Sequence, residues 1–222
     1  MANKGFYIKS VVAKGELVQD SQINFVKGCN VVYGPSDTGK TSLYSVIEFL
    51  LGKSSNPKIP LEGTGYTDFL MEIHTYGEEF YTIHRKLNGP SVKVKPCSIM
   101  EYYDDSIKYD EYKINAQSAN SYSSFLLSLV DVSDIRIKIN PSKLHKLTFS
   151  TIRHLIFVDE TRILNEKSPF YIETNPALYL KCRNILSYLM TGHDDSSYIP
   201  EEDSKIRKSR IQGKIDYVTE EI

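Results

Sequence analysis

The feature that most constrains the fold is the run Gly34-Pro35-Ser36-Asp37-Thr38-Gly39-Lys40-Thr41-Ser42. It fits the pattern G-x-x-x-x-G-K-[ST] and stands where that pattern has physical meaning, between an apolar run and a segment of helical period. Upstream, Lys27-Gly28 makes a turn into Cys29-Asn30-Val31-Val32-Tyr33, which reads as a buried strand. Downstream, Leu43, Ile47, Leu50 and Leu51 recur at helical spacing from Lys40 to Leu51, and Gly52 closes the segment. In a strand, glycine loop and helix of this kind, backbone N–H groups turn inward around phosphate oxygens and the helix N-terminus adds its positive dipole end. On this reading Gly34 to Ser42 cradle a nucleotide, Lys40 reaches its β- and γ-phosphates, and Thr41 supplies a hydroxyl to Mg²⁺. The expected cofactors are ATP and Mg²⁺.

Around this core the pattern is mostly of strands. Phe6 to Val12 and Leu17 to Phe25 are rich in β-branched and aromatic residues, and Phe69 to His74 and Phe80 to Arg85 alternate on either side of Tyr76-Gly77, as in a β-hairpin. Further strands are expected at Ser91 to Lys95 and Ile107 to Ile114, and a helix at Gln117 to Val130. Ser150 is a suitable N-cap for a short helix through Leu155, and Asn175 with Pro176 opens a helix ending near Gly192. After a linker at His193 to Pro200 the chain is charged, with Ile211, Ile215, Val218 and Ile222 spaced four, three and four apart. That is a heptad seam about two heptads long, and it reads as the start of a coiled coil.

A second informative stretch is Arg153 to Ile163, in which Leu155 to Val158 run directly into Asp159-Glu160. Taken alone it is a Walker B strand, with Asp159 on Mg²⁺ through water and Glu160 as the base that activates the attacking water. The alternative is a Q-loop-like position, where one polar residue at the end of a strand or helix contacts Mg²⁺ and the lytic water.

Val31-Val32-Tyr33-Gly34-Pro35, the glycine loop, the helix ending in Glu48-Phe49-Leu50-Leu51-Gly52 and the strand Tyr81 to Arg85 together resemble the N-terminal half of an ABC-type ATPase head, in the order found in the SMC family and its RecF-like relatives. The resemblance runs over nearly the whole chain. It implies an α/β fold, a P-loop NTPase of ABC/SMC-head type with an antiparallel β subdomain and the root of a coiled coil at the C-terminus. Residues 1–192 would form the N-terminal lobe, 193–200 a linker and 201–222 the start of the coiled-coil helix, with the C-terminal half of the head outside this chain. It places Glu160 near the family's Q-loop glutamine, and this is preferred over Walker B because no LSGGQ-like signature precedes the stretch and no D-loop-like sequence follows it.

The implied activity is ATP hydrolysis with Lys40 and Glu160 catalytic and with Thr41, Asp159 and Glu160 at the metal, inactive without the missing half and a second head, most simply in a homodimer. ATP binding would close the dimer and hydrolysis reopen it. Two departures stand out: Ser36 and Asp37 replace the family's Asn and Gly, and a carboxylate replaces the glutamine. They suggest a divergent branch of the kind found in genome maintenance or anti-phage defence, working with accessory or effector subunits. Two other readings remain open: a self-contained NTPase with Asp159-Glu160 as Walker B, and a scaffold gated by nucleotide without hydrolysis.

Composition limits the partners. With 27 Lys and Arg against 28 Asp and Glu in 222 residues, the net charge of −1 excludes a globally basic nucleic-acid binder. Two local clusters remain as expected DNA contacts: Arg136, Lys138, Lys143 and Lys146, and then Lys205, Arg207, Lys208, Arg210 and Lys214. No stretch approaches the roughly 20 apolar residues of a membrane span, and the first ten residues lack a signal-peptide core, so no membrane partner and a cytoplasmic location are expected. Cys29, Cys97 and Cys182 have no disulfide or zinc spacing and read as buried free thiols, and the five histidines show no paired spacing for a metal.

Overall fold

The two alternating stretches form a hairpin, β3 (Asp68–Thr75) and β4 (Phe80–Lys86), at the centre of a six-stranded sheet. Its other strands are β1 (Phe6–Gly15), β2 (Val18–Asn24), β5 (Ser91–Lys95) and β6 (Asp110–Lys113), in the spatial order β2-β1-β3-β4-β5-β6 with every ladder antiparallel. The computed structural model describes residues 4–59, 64–164, 178–200, 202 and 204–220. The chain divides into two units, one running through residue 133 and taking in 148–153, the other made of 134–147 and the chain from 154 onward.

In the first unit, strand alternation gives the sheet one apolar face. Val11, Met71, Ile83 and Val94 make a single rung across four strands, all buried, and the neighbouring rung holds Ala13, Phe69 and Arg85. Helix α1 (Lys40–Leu50) lies against this face, with Val46, Phe49 and Leu50 buried and the Phe49 ring edge-on to Phe69 at 5.9 Å. Helix α2 (Tyr122–Ser128) buries Tyr122 and Leu126, and the Tyr122 hydroxyl donates to Leu50 O at 2.9 Å. The opposite face of the sheet is covered by the segment around Tyr102, which packs on Val12 and Leu70.

Several expectations are corrected in their bounds. Helix α2 is shorter than Gln117 to Val130, because the Asn115 side chain accepts from the N–H of Gln117 and its carbonyl from that of Ser118, which closes a turn in place of a first helical turn. Strand β6 is shorter than Ile107 to Ile114, because Asp104 turns the chain through bonds from Ser106 and Ile107. Helix α3 (Phe149–Ile156) begins one residue before Ser150, with Thr148 O accepting from Thr151 N. The main correction concerns Cys29 to Tyr33. It pairs with no strand among the described residues, and Val31 and Tyr33 are 77% and 90% exposed, so its apolar side chains are not buried against a sheet. Cys29 is therefore exposed, whereas Cys97 and Cys182 are buried as expected.

In the second unit, the hairpin of β7 (Arg136–Asn140) and β8 (Lys143–Lys146) packs on α5 (Tyr179–Thr191), and Gly192 ends that helix in the left-handed region at φ 72°. Asn175 and Pro176 lie outside the described residues. The segment 193–200 runs along β7: Asp195 N donates to Arg136 O, Lys138 N donates to the Asp195 carboxylate at 2.7 Å, and Tyr198 donates to Pro141 O. Helix α4 (Glu160–Ile163) is one turn long, and α6 (Ser204–Glu220) carries exposed Ile206, Ile211 and Ile215. Of the heptad seam, the side chain of Val218 and all of Ile222 lie outside the described residues. Among the described residues no helix is long and apolar enough to cross a membrane.

The contact that fixes α1 to the sheet is Arg85, whose Nη1 donates to Phe49 O and Lys53 O, each at 2.6 Å. Arg85→Met strips both buried carbonyls of their cationic donor and is expected to lower unfolding free energy by about 3 kcal/mol, measured by chemical denaturation; a loss below about 1 kcal/mol would mean water replaces it.

Candidate functional site

The glycine loop sits in the first unit between the exposed Cys29 to Tyr33 segment and α1. Gly39 precedes the helix in a left-handed conformation, φ 85°, and a Cβ there would meet nothing within 4 Å, so backbone conformation and not crowding demands glycine. At Gly34 a Cβ would lie 3.1 Å from Thr38 Oγ1, a tight contact that the hydroxyl, itself donating to Pro35 O at 2.9 Å, would have to yield to. Asp37 is left-handed too, φ 62°, an unfavourable conformation for a residue with a side chain. Left-handed residues in such a loop turn N–H groups toward a common centre.

Lys40 folds back over the loop. Its ammonium donates to Gly34 O at 2.9 Å and to Pro35 O, and lies 3.4 Å from Thr38 Oγ1. The first intrahelical bond of α1 runs from Leu43 N to Gly39 O, so the N–H groups of Lys40, Thr41 and Ser42 precede the helical ladder. No side chain caps this end and no acid stands in its first turn. Three N–H groups outside the helical ladder, one ammonium and the hydroxyls of Thr41 and Ser42, with no carboxylate in the turn, fit a polyphosphate and its Mg²⁺. A cavity of about 280 Å³ lies on the loop, walled by Tyr33, Gly34, Pro35, Gly39 and Lys40. A second, of about 420 Å³, opens beside it between β1–β2 and α1, lined by Val11, Ile23, Asp37, Gly39 and Leu43.

The far end of α1 is as closed as the near end is open. Arg85 stacks on Phe49, 3.7 Å from the ring centroid, and Arg153 from α3 lies 3.5 Å from Glu48 O and 3.4 Å from Leu51 O. Burial lowers the Arg85 guanidinium to about 10, with Tyr122 opposing and Arg153 adding to the shift, so it stays charged at neutral pH. Burial lowers Arg153 in the same direction, against Glu48 and Tyr44. Sequence reasoning missed both arginines as supports of the site. For Arg85 a signal existed, since it falls on the same face of β4 as buried Ile83, where alternation calls for an apolar residue.

Asp159 and Glu160 belong to the second unit. Asp159 is the N-cap of α4, its carboxylate accepting from Arg162 N at 2.9 Å, and Glu160 is exposed in the first turn. The preceding Leu155 and Ile156 end helix α3, so the strand that a Walker B requires is not formed there. The Arg162 guanidinium donates to His154 O at 2.8 Å and Phe157 O at 2.5 Å and holds the turn between α3 and α4 closed.

Of the basic clusters, Lys138 lies over the Tyr198 ring at 3.6 Å, Lys146 pairs with Asp134 and Arg210 with Glu202. Burial lowers the His145 pKa, with Lys143 and Lys181 adding to it; Lys181 joins this cluster from α5, which no spacing in the sequence reveals. Among the described residues no group of three or more His, Cys, Asp or Glu could hold a metal.

An antiparallel sheet carrying a helix that starts on a GxxxxGKT loop defines a P-loop ATPase domain of mixed α/β content. A family model described as "AAA domain" matches residues 8–221, and the chain belongs to that family of SMC- and RecF-like ATPases. The chain is also similar to the DNA repair protein RecN of Aquifex aeolicus (strain VF5), 34% identical over 70 residues, which is 32% of this chain and 12% of that protein.

The strained acid of the loop gives a direct test. Asp37→Gly removes a negative charge from the rim and relieves a left-handed residue, and is expected to tighten binding of Mg²⁺ with a non-hydrolysable ATP analogue by about 1 kcal/mol, roughly fivefold, in titration calorimetry. Unchanged or weaker binding would mean that the carboxylate contacts the ligand favourably.

Proposed function

We propose that this chain is the ATP-binding part of an SMC-like machine in which nucleotide binding closes two heads and hydrolysis reopens them. The observation that carries the reading is the exposed apolar run Cys29 to Tyr33, which leads straight into the P-loop without a partner strand among the described residues. A P-loop needs its lead-in strand secured in a sheet, and here the securing strands would come from a C-terminal half outside residues 1–222, together with the signature motif and Walker B. The same observation counts against a self-contained NTPase, as does the use of Asp159 as a helix cap.

In this reading residues 34–42 bind the phosphates. Lys40 leaves Gly34 O and Pro35 O for the β- and γ-oxygens, the N–H groups of α1's first turn donate to the same phosphates, and Thr41 holds the metal. Bound Mg²⁺ supplies charge neutralisation at the phosphoryl group being transferred. Glu160, with Asp159 fixing the turn before it, orients water at the metal edge. Residues 1–192 form the lobe, 193–200 the connection and α6 the root of a coiled coil whose seam begins at Ile211 and Ile215. A homodimer with accessory or effector subunits is the expected assembly. Family membership and the likeness to a protein named for DNA repair support DNA as the substrate, in genome maintenance or defence against phage, in the cytoplasm.

Two measurements test this. Lys40→Ala is expected to weaken binding of the Mg²⁺–ATP analogue at least about tenfold, and Glu160→Gln to keep binding while abolishing turnover in the complete assembly. Turnover by residues 1–222 alone would overturn the half-head reading, and absence of turnover in any assembly would favour a nucleotide-gated scaffold. For DNA, replacing Lys143 and Lys146 by Ala is expected to weaken binding alike for all duplex sequences and to flatten the plot of log affinity against log salt by about 0.9 per lost phosphate contact. An unchanged slope would remove the hairpin from the DNA surface.

A further inference from the structure

A cavity of about 310 Å³ lies where the end of α1, helix α2 and the first turn of α3 meet, entirely within the first unit. Sites for small molecules run from about 300 Å³ upward. This one is lined by apolar Ile114, Leu126 and Phe149 and by the polar side chains of Ser123 and Arg153. Among the described residues no Asp or Glu lines it.

The charge beside the cavity does not balance. Arg153 and Glu48 are each 13% exposed and stand 4.0 Å apart, Nε to carboxylate, while Glu48 is already held by Lys53 at 2.5 Å. Arg85, 3% exposed, makes no ion pair among the described residues, and its Nε has no acceptor there. Three cations thus share one carboxylate. Burial lowers the pKa of both guanidinium groups, and Arg153 adds to the shift at Arg85. A buried charge without a counter-charge is costly, so the cluster gains from an anion brought in from outside.

Of the three cations Arg153 alone lines the cavity, and it is the least committed. Its Nη1 stands 3.5 Å from Glu48 O and 3.4 Å from Leu51 O, at the outer limit of hydrogen bonding, and its Nη2 bonds nothing among the described residues. Ser123 Oγ accepts from Phe149 N at 2.8 Å and keeps its own hydrogen to donate. A guanidinium fork matches a carboxylate through two parallel bonds. One fork among apolar walls suits a monoanion with an apolar body better than a phosphate dianion.

We propose that this cavity is a binding site for a small carboxylic acid, with its carboxylate on Arg153 and Ser123 and its apolar body among Ile114, Leu126 and Phe149. No residue of the glycine loop lines it, and the inference does not depend on the nucleotide reading.

Ligand-observed NMR with benzoate on the full chain, at fixed ionic strength, tests the site. Benzoate is expected to bind saturably, at least about tenfold more tightly than neutral benzamide, and inorganic phosphate to displace it only at about tenfold higher concentration or above. Lys40→Ala keeps benzoate affinity within about twofold, which separates this site from the glycine loop. Arg153→Met is expected to weaken benzoate at least about tenfold, as is Ala116→Phe, which fills the cavity from a half-buried turn position and leaves both arginines in place. Should Arg153→Met fail to fold, Ala116→Phe carries the test. Absence of saturable binding, equal binding of benzamide, displacement by phosphate at equal concentration, loss of binding in Lys40→Ala, or wild-type affinity in the variant that carries the test overturns the site. None of these results bears on whether the glycine loop binds nucleotide.

Discussion

The carbonyls at the C-terminal end of α1 terminate where water is excluded, and the position of the P-loop depends on how they are satisfied. A helix leaves its last carbonyls without intrahelical donors. Here the chain's own turn supplies some donors, with Gly52 N bonding Phe49 O and Lys53 N bonding Glu48 O. The rest come from three separate elements: Tyr122 of α2 on Leu50 O, Arg153 of α3 near Leu51 O, and Arg85 of β4 on Phe49 O and Lys53 O. Eleven residues at about 1.5 Å each make a stiff rod roughly 16 Å long, so fixing one end against a sheet and two helices also places the other.

That other end is left open in a way that complements the closed one. Gly39 gives no side chain to the first turn, no acid stands there, and Lys40 rests on the carbonyls of Gly34 and Pro35. A cation parked on neutral carbonyls is held less strongly than one on phosphate oxygens. Asp37 works against the same preference, since its carboxylate stands on the loop's rim in a backbone conformation that glycine adopts without strain. The site thus combines a donor set shaped for polyanions with one negative charge that moderates it.

What was legible in the sequence was whatever local periodicity encodes. The hairpin of β3 and β4, helix α1 with its glycine stop, and β5 lie where alternation and helical spacing put them. The losses have a common cause in partners distant along the chain. Cys29 to Tyr33 has the composition of a buried strand, but burial needs a neighbour, and no property of those five residues says whether one is present. Leu155 to Val158 is a short apolar run, which period alone cannot assign to strand or helix, and Asp159 decided it by capping a turn through Arg162. Arg85 was visible only as a charge out of phase with an apolar face, and Arg153 had no signal, because its acceptors lie about a hundred residues away. The P-loop residues themselves were legible as a motif, whereas the supports that hold the loop in place were not.

Under the proposed reading the exposed lead-in and the resting place of Lys40 are one problem. The carbonyls that hold Lys40 belong to Gly34 and Pro35, the residues that directly follow Val31 to Tyr33. While that run is unpaired, Lys40 serves as a local brace for the loop, and phosphate must compete for it. Once a strand covers the run, ladder hydrogen bonds and burial of Val31 and Tyr33 fix the lead-in without the lysine's help. Completing the sheet therefore removes a cost from nucleotide binding, and by reciprocity bound nucleotide favours the completed sheet by the same free energy. Under the proposed reading nucleotide would bind most tightly where the lead-in run is covered, which would tie occupancy of the P-loop to assembly of the head.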